Sequence, residues 1–238
     1  MIDVGAQATR WASVARLALA RDGYWYEPRF ADPADGAEAA RTLAKELGQV
    51  LDDVVVTQPE PDAPSWRPFD QRVALGWHGD FCTHKERASL SMSFIECRDP
   101  RGSPWGDWRV ATVASVIAIM EKTVPGRRAI RELSDRDAPF AFDDEIFHFR
   151  VLESCGSQPI LRFYGAGLRA GVASAGVDNT ALLDAVAALE EAADACAVHL
   201  AAPEGAVLVV HNWRALHYRN EQTVGVQHPR RAILMFVR

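Results

Sequence analysis

One short stretch, Leu75 to Phe81, restricts the fold more than any other part of the chain. It reads Leu-Gly-Trp-His-Gly-Asp-Phe, which places His78 two residues before Asp80. On an extended strand, residues i and i+2 project to the same face, so the imidazole and the carboxylate are expected side by side. One nitrogen ligand and one hard oxygen ligand suit a borderline divalent metal such as Fe(II). The stretch therefore predicts half of a metal site, which the fold must complete from elsewhere.

The missing ligand is expected in residues 205–219, which read Gly-Ala-Val-Leu-Val-Val-His-Asn-Trp-Arg-Ala-Leu-His-Tyr-Arg. His211 and His217 are both candidates for the third ligand. Two histidines and one carboxylate on one face of an octahedral ion leave other positions open, as in non-haem iron oxygenases. The other histidines are interpreted as surface or internally satisfied residues: His84, His148, His199 and His228.

Composition excludes several classes of protein. With 48% hydrophobic and 24% charged residues, the chain can build a core, and disorder is not expected. A net charge of −6 argues against a nucleic-acid-binding surface. The four cysteines show no CxxC spacing, and neither a signal peptide nor a transmembrane segment is recognised. We therefore expect a cytoplasmic enzyme that binds neither nucleic acid nor membranes.

Helix and strand patterns are mixed along the chain. Helices are predicted at residues 6–21, 38–47, 113–122 and 180–200, and strands at 51–57, 90–94, 108–113, 147–151, 159–164, 206–210 and 231–237. Residues 54–56 are typical of a buried strand, residues 165–176 of a flexible or tightly turned segment, and the charged residues 127–147 of a lid. Without a repeat or boundary, we expect one domain, residues 1–238, of the α+β class with a mainly antiparallel sheet or barrel.

Three blocks of the sequence match the motifs of one enzyme family. Trp77–Phe81 is similar to the motif His-x-Asp-Phe, and residues 205–219 are similar to a motif with the spacing Asn-x-Arg-x-x-His-x-Arg. The basic pair Arg230-Arg231 stands where that family binds its cosubstrate. The chain thus resembles the Fe(II)/2-oxoglutarate-dependent dioxygenases of the taurine dioxygenase superfamily, in particular the clavaminate synthase-like branch. The resemblance implies a double-stranded β-helix (jelly-roll) core with flanking helices.

The resemblance also implies an iron centre and a reaction. His78, Asp80 and His217 would hold Fe(II), and His211 would be a structural histidine. Oxygen and 2-oxoglutarate would be consumed, with succinate and CO2 as coproducts. Relatives that halogenate replace the carboxylate by Gly or Ala, so Asp80 favours hydroxylation, desaturation or cyclisation of an amino acid or small natural-product intermediate.

The far carboxylate of 2-oxoglutarate would bind arginine, whose planar fork matches a carboxylate. Adjacent strand residues face opposite ways, so only one of Arg230 and Arg231 can serve. The family spacing after His217 favours Arg231.

Relatives add a Thr or Ser that hydrogen-bonds the same carboxylate, but Trp108 stands in that position here. Either Thr112, or a serine such as Ser91 or Ser93, is expected to substitute for it, or the cosubstrate is expected to bind in a different position.

Substrate contacts are less well defined. Arg162 is equally compatible with binding a substrate carboxylate and with an inward structural role, and Asp144 could meet a cationic substrate from the lid. The substrate would be free or tethered to a carrier protein. Two other interpretations use the same three ligands: a metal-binding β-barrel without catalysis, and a metal-dependent hydrolase or isomerase. The basic pair after His217 favours the oxygenase, because neither alternative needs a cation there.

Overall fold

The computed structural model describes residues 4–56, 74–82, 88–142, 145–155, 158–176, 179–223 and 226–238. Its helices are α1 (Val4–Asp22), α2 (Pro33–Leu47), α3 (Val113–Met120), α4 (Val124–Asp135), α5 (Gly165–Ala175) and α6 (Thr180–Cys196). Its strands are β1 (Tyr24–Glu27), β2 (Val50–Val56), β3 (Leu75–His78), β4 (Leu90–Cys97), β5 (Trp108–Thr112), β6 (Asp137–Phe142), β7 (Glu145–Arg150), β8 (Leu152–Cys155), β9 (Gln158–Leu161), β10 (Val198–Leu200), β11 (Val207–His211), β12 (Ala215–Arg219) and β13 (Arg231–Val237).

Two antiparallel sheets form the centre of the molecule. The five-stranded sheet has the order β1-β11-β4-β13-β2, and the four-stranded sheet has the order β10-β5-β12-β3. Apolar side chains from both sheets, including Ile95, Trp108, Val110 and Leu208, pack together between them. The predicted mixture of helices with mainly antiparallel strands is therefore confirmed.

Helices cover the outer face of the five-stranded sheet. Side chains alternate across a strand, and on β13 Ile233 and Met235 pack into the cluster formed with α1 and α2. Leu234 and Phe236 point the other way and line a cavity between the sheets. A second cluster, which includes α3 to α6 and the β6–β7 hairpin, packs beside the four-stranded sheet.

Two local predictions differ from the structure, at residues 165–176 and in strand β2. Residues 165–176 contain helix α5, closed by Gly176 in the left-handed conformation at φ 63°. Glycine at position 171 lets α5 lie against β6, because a Cβ there would come 2.4 Å from the Pro139 carbonyl oxygen. The described part of the segment 127–147, for which a lid was predicted, forms α4, β6 and β7. Strand β2 lies at a sheet edge, where Val55 is 41% exposed.

No helix within the described residues is long and apolar enough to cross a membrane.

Candidate metal centre

Strand pairing brings the two predicted histidine ligands together. His78 ends β3, His217 lies on β12, and the two are register partners in the four-stranded sheet. Their ring centroids lie 4.0 Å apart. Residues directly opposite each other on neighbouring strands present their side chains to the same face, so pairing alone places both imidazoles at one point.

Asp80 reaches the same point from a turn. Strand β3 ends at His78. The extended strand geometry that was expected from the sequence for both His78 and Asp80 therefore applies only to His78. The carboxylate nevertheless lies 3.6 Å from His78 Nε2 through Oδ1 and 3.4 Å from His217 Nε2 through Oδ2. All three ligand atoms lie within 4.8 Å of one another. The next residue, Phe81, has a φ of 57°, which is strained for an aromatic residue, and its ring packs 4.8 Å from that of Phe236.

The protonation states suit a divalent cation. The Nδ1 atom of His78 lies 2.7 Å from the Gly76 carbonyl oxygen, and with Nδ1–H as the donor, Nε2 is left as the metal-facing acceptor. Burial, reinforced by His217, lowers the pKa of His78 to about 3. Burial alone would raise the pKa of Asp80, but the two imidazoles outweigh it and hold that pKa well below its usual range. A neutral imidazole and an ionised carboxylate are the forms that bind metals.

The spacing of the residues in the second motif has a structural basis in this chain. The buried Asn212 amide donates to the Ala88 carbonyl at 3.1 Å, which holds the turn between β11 and β12. The Arg214 guanidinium donates to the carbonyls of Leu19 and Ala20 near the end of α1. His211 Nδ1 accepts a hydrogen bond from the Trp213 backbone N–H, and burial lowers the pKa of His211 to about 4. His211 is outside the group of metal ligands.

The three ligands open into a cavity of about 380 Å³ between the sheets. Two nitrogen ligands and one oxygen ligand on one side, with open space on the other, fit Fe(II) with free coordination positions. Apolar side chains dominate the described wall, and the charged groups outside the ligand set are Asp52, Arg219 and Arg230. Asp52 and Arg219 had not been predicted. Arg219 follows His217 by two residues on the same strand, and this spacing was the sequence feature from which its position in the cavity wall could have been predicted.

Arg230, and not Arg231, lines the cavity. Arg230 is 4% exposed, and its Nε has no hydrogen-bond partner within the described residues. Desolvation lowers the pKa of Arg230 to about 10, against the opposing charges of Asp99 and Asp107. The preference for Arg231 is not supported by its placement. Its side chain is 49% exposed, and its Nε lies 2.5 Å from Glu96 Oε2.

A glycine provides the space for Arg230. Gly106 has a φ of +68°, and a Cβ there would lie 2.6 Å from Arg230 Cδ and 2.8 Å from its Nε. Trp108 also lines the cavity. Ser93 is on the opposite sheet, and its buried hydroxyl has no hydrogen-bond partner among the residues described.

Two other predicted contacts, Thr112 and Arg162, lie away from the cavity. Thr112 caps α3, accepting a hydrogen bond from the Ser115 N–H at 3.1 Å. Arg162 faces a separate groove and pairs with Glu153, with 3.3 Å between Arg Nε and Glu Oε1. Asp144 is outside the described residues. Phe81, by contrast, lines the cavity.

The fold is that of non-haem iron oxygenases. Solved structures similar to this chain include an asparagine oxygenase in complex with Fe(II), a 3-hydroxyasparagine and succinate, at 19% identity and a TM-score of 0.77 over 98% of this chain and 79% of that one. The non-haem iron oxygenase OrfP in complex with Fe and alpha-ketoglutaric acid is 16% identical, with a TM-score of 0.66 over 98% and 79% of the two chains. No protein-family model matches the sequence, and no curated protein matches it significantly.

Proposed function

We propose that this chain is an Fe(II)/2-oxoglutarate-dependent oxygenase that hydroxylates, desaturates or cyclises a small molecule. The substrate would be an amino acid or a natural-product intermediate, free or carrier-bound, and succinate and CO2 would be coproducts. We further propose that residues 1–238 form one domain, that its two sheets are the halves of a double-stranded β-helix, and that it acts in the cytoplasm. The similar asparagine oxygenase and OrfP structures, which contain hydroxylated amino acids, support the proposal.

The observation that carries the proposal is the arrangement of the cavity, with the metal ligands at one end and a buried cation at the other. Ser91, which lines the cavity together with Asp80, pairs with Phe236 across β4 and β13 and marks the metal end. Further along the same two strands, Ser93 pairs with Leu234, and Arg230 lies just beyond the start of β13. A strand rises about 3.3 Å per residue, so a five-carbon dicarboxylate could bridge from the ligands toward the guanidinium.

Each group has a role in this arrangement. The iron, when bound, would supply the oxygen chemistry and accept the keto-acid end of 2-oxoglutarate. Arg230 would pair with the far carboxylate through its planar fork, which gives the buried guanidinium an anionic partner. Ser93, whose buried hydroxyl is otherwise unsatisfied, would donate a hydrogen bond to 2-oxoglutarate in place of the family's Thr or Ser. The apolar wall would exclude water from the reacting groups.

Anaerobic titration of the iron-loaded protein with 2-oxoglutarate tests the proposal. We expect the visible charge-transfer band of a keto acid chelated to Fe(II), and succinate formation once oxygen is admitted. The variant Asp80→Ala, which lacks one ligand, should bind iron more weakly, whereas the surface variant Asp135→Ala should match the parent.

The two alternatives predict different results. A non-catalytic barrel would bind iron without forming succinate. A hydrolase or isomerase with the same ligands would be indifferent to 2-oxoglutarate, so the absence of both the band and succinate would refute the oxygenase.

A further inference from the structure

The wall beside the metal ligands is apolar and has one carboxylate at its edge. Phe81 directly follows the ligand Asp80, and its ring packs against Phe236. Phe142, Val54 and Leu234 continue this wall. A cavity of about 380 Å³ is near the lower end of the usual range for small-molecule sites, about 300–1,000 Å³. The space that remains beside a bound cosubstrate is therefore suited to a small molecule with a hydrocarbon part.

Asp52 belongs to this wall because of strand alternation. It is the register partner of Phe236, and both line the cavity. Asp52 is exposed and lies on edge strand β2, so its carboxylate is at the rim of the cavity. Across the sheet, Asp52 pairs with Phe236, and Phe236 pairs in turn with Ser91. Its Oδ1 accepts a hydrogen bond only from the neighbouring Asp53 N–H among the contacts described.

The neighbouring aspartate faces the opposite side of the sheet. Asp53 pairs in register with Met235, which packs under the helices, and its Oδ2 lies 2.6 Å from Arg41 Nε of α2. The two adjacent carboxylates therefore differ in what they can bind. Asp53 already has a cationic partner within the protein, whereas Asp52 presents its charge to the cavity.

We infer that Asp52 binds a cationic amino group of the substrate, and that the substrate is a small amine, such as an amino acid with a hydrocarbon side chain. In this arrangement, which rests on the proposed function, the apolar wall receives the hydrocarbon part and directs its C–H bonds to the iron. With Asp52 assigned to the amino group, the other residues of this described wall (Phe81, Phe142, Val54, Leu234 and Phe236) offer no polar partner to the side chains of asparagine and arginine, the amino acids of the similar structures. The Asp52 carboxylate at the rim of this wall is the reason that we assign an amino group to the substrate.

The test compares matched ligands and matched variants. L-leucine, L-phenylalanine, L-asparagine and 4-methylpentanoate, which is leucine without its amino group, are titrated anaerobically into the Fe(II)/2-oxoglutarate complex. The perturbation of the absorption band gives a Kd that does not depend on turnover. We expect leucine or phenylalanine to bind at least about tenfold more tightly than 4-methylpentanoate or asparagine, because a charge-assisted hydrogen bond or burial of the side chain is lost in each of the latter.

Asp52→Asn should weaken binding of the preferred amine about tenfold and leave that of 4-methylpentanoate unchanged, with an intact 2-oxoglutarate band as proof of folding. Asp53→Asn, the control, should change neither. Equal binding by Asp52→Asn and the parent, equal binding of leucine and its deaminated analogue, preference for asparagine, or no response to any amine would each overturn the inference. In all these cases the band itself persists, whereas failure of the proposed oxygenase function removes the band.

Discussion

Arg230 and Arg231 are adjacent in the chain. The proposed function predicts that substitution of Arg230 weakens 2-oxoglutarate binding and that substitution of Arg231 does not. Arg230→Gln removes a guanidinium that is 4% exposed and lines the cavity. Arg231→Gln removes one that is 49% exposed and pairs with Glu96. The two variants lose the same charge one residue apart, so each is the control for the other. Only Arg230→Gln should affect the cosubstrate.

The expected size of the effect follows from burial. Truncating one partner of a buried, hydrogen-bonded charge pair costs about 2–5 kcal/mol, because the other charge is left unpaired. The lower figure corresponds to roughly a 30-fold increase in Kd for 2-oxoglutarate. An exposed ion pair contributes about 0–1 kcal/mol, so Arg231→Gln should lower the free energy of unfolding by no more than that and leave the Kd unchanged.

The assay is the anaerobic titration of Fe(II)-loaded protein with 2-oxoglutarate, together with thermal unfolding of each metal-free variant. Iron binding, measured separately, should be the same in both variants, since neither arginine contacts the ligands. If Arg231→Gln weakened 2-oxoglutarate binding and Arg230→Gln did not, the assignment of Arg230 to the cavity would be wrong.

Two further predictions concern the surroundings of the site. Gly106→Ala should weaken 2-oxoglutarate binding about tenfold or more without altering iron binding, because the new Cβ would displace Arg230 and is strained at positive φ; an unchanged Kd would contradict this. His211→Asn should reduce the acid sensitivity of the metal-free protein. With the pKa of His211 lowered to about 4, the unfolded chain binds a proton between about pH 6.5 and pH 4 that the folded chain does not, so stability falls as the pH falls through that window. Denaturant titrations at pH 7 and pH 4.5 should show a loss smaller by about 2 kcal/mol in the variant than in the parent, whereas the exposed-residue control His228→Asn should behave as the parent.

Spacing along the chain predicted which three potential metal ligands come together in the structure. The structure brings together His78, Asp80 and His217. These residues could be recognised because the two-residue spacing of His78 and Asp80, and the specific motif around His217, are visible in the sequence itself. Most predicted helices and strands are present for the same reason, since apolar periodicity reflects which face is buried.

The errors come from information that the linear pattern lacks. The choice between Arg230 and Arg231 depends on one residue of register, and the register of β13 against β4 shifts between Arg231 and Ala232. Helix α5 forms from a glycine-rich segment because Gly171 allows close packing on β6, a tertiary effect that propensity cannot predict. Thr112 became a helix cap because a helix begins immediately after it.

The pairing of His78 with His217 across β3 and β12 has a consequence for how the protein responds to the loss of its metal ion. Strand pairing positions both imidazoles, so under the proposed function loss of iron would leave the fold around them in place. A protein molecule from which a chelator has removed iron, or one synthesised when iron is scarce, would keep a folded site. It would bind iron again when iron becomes available. Activity in the cell would then follow the supply of iron reversibly, without new synthesis of the chain.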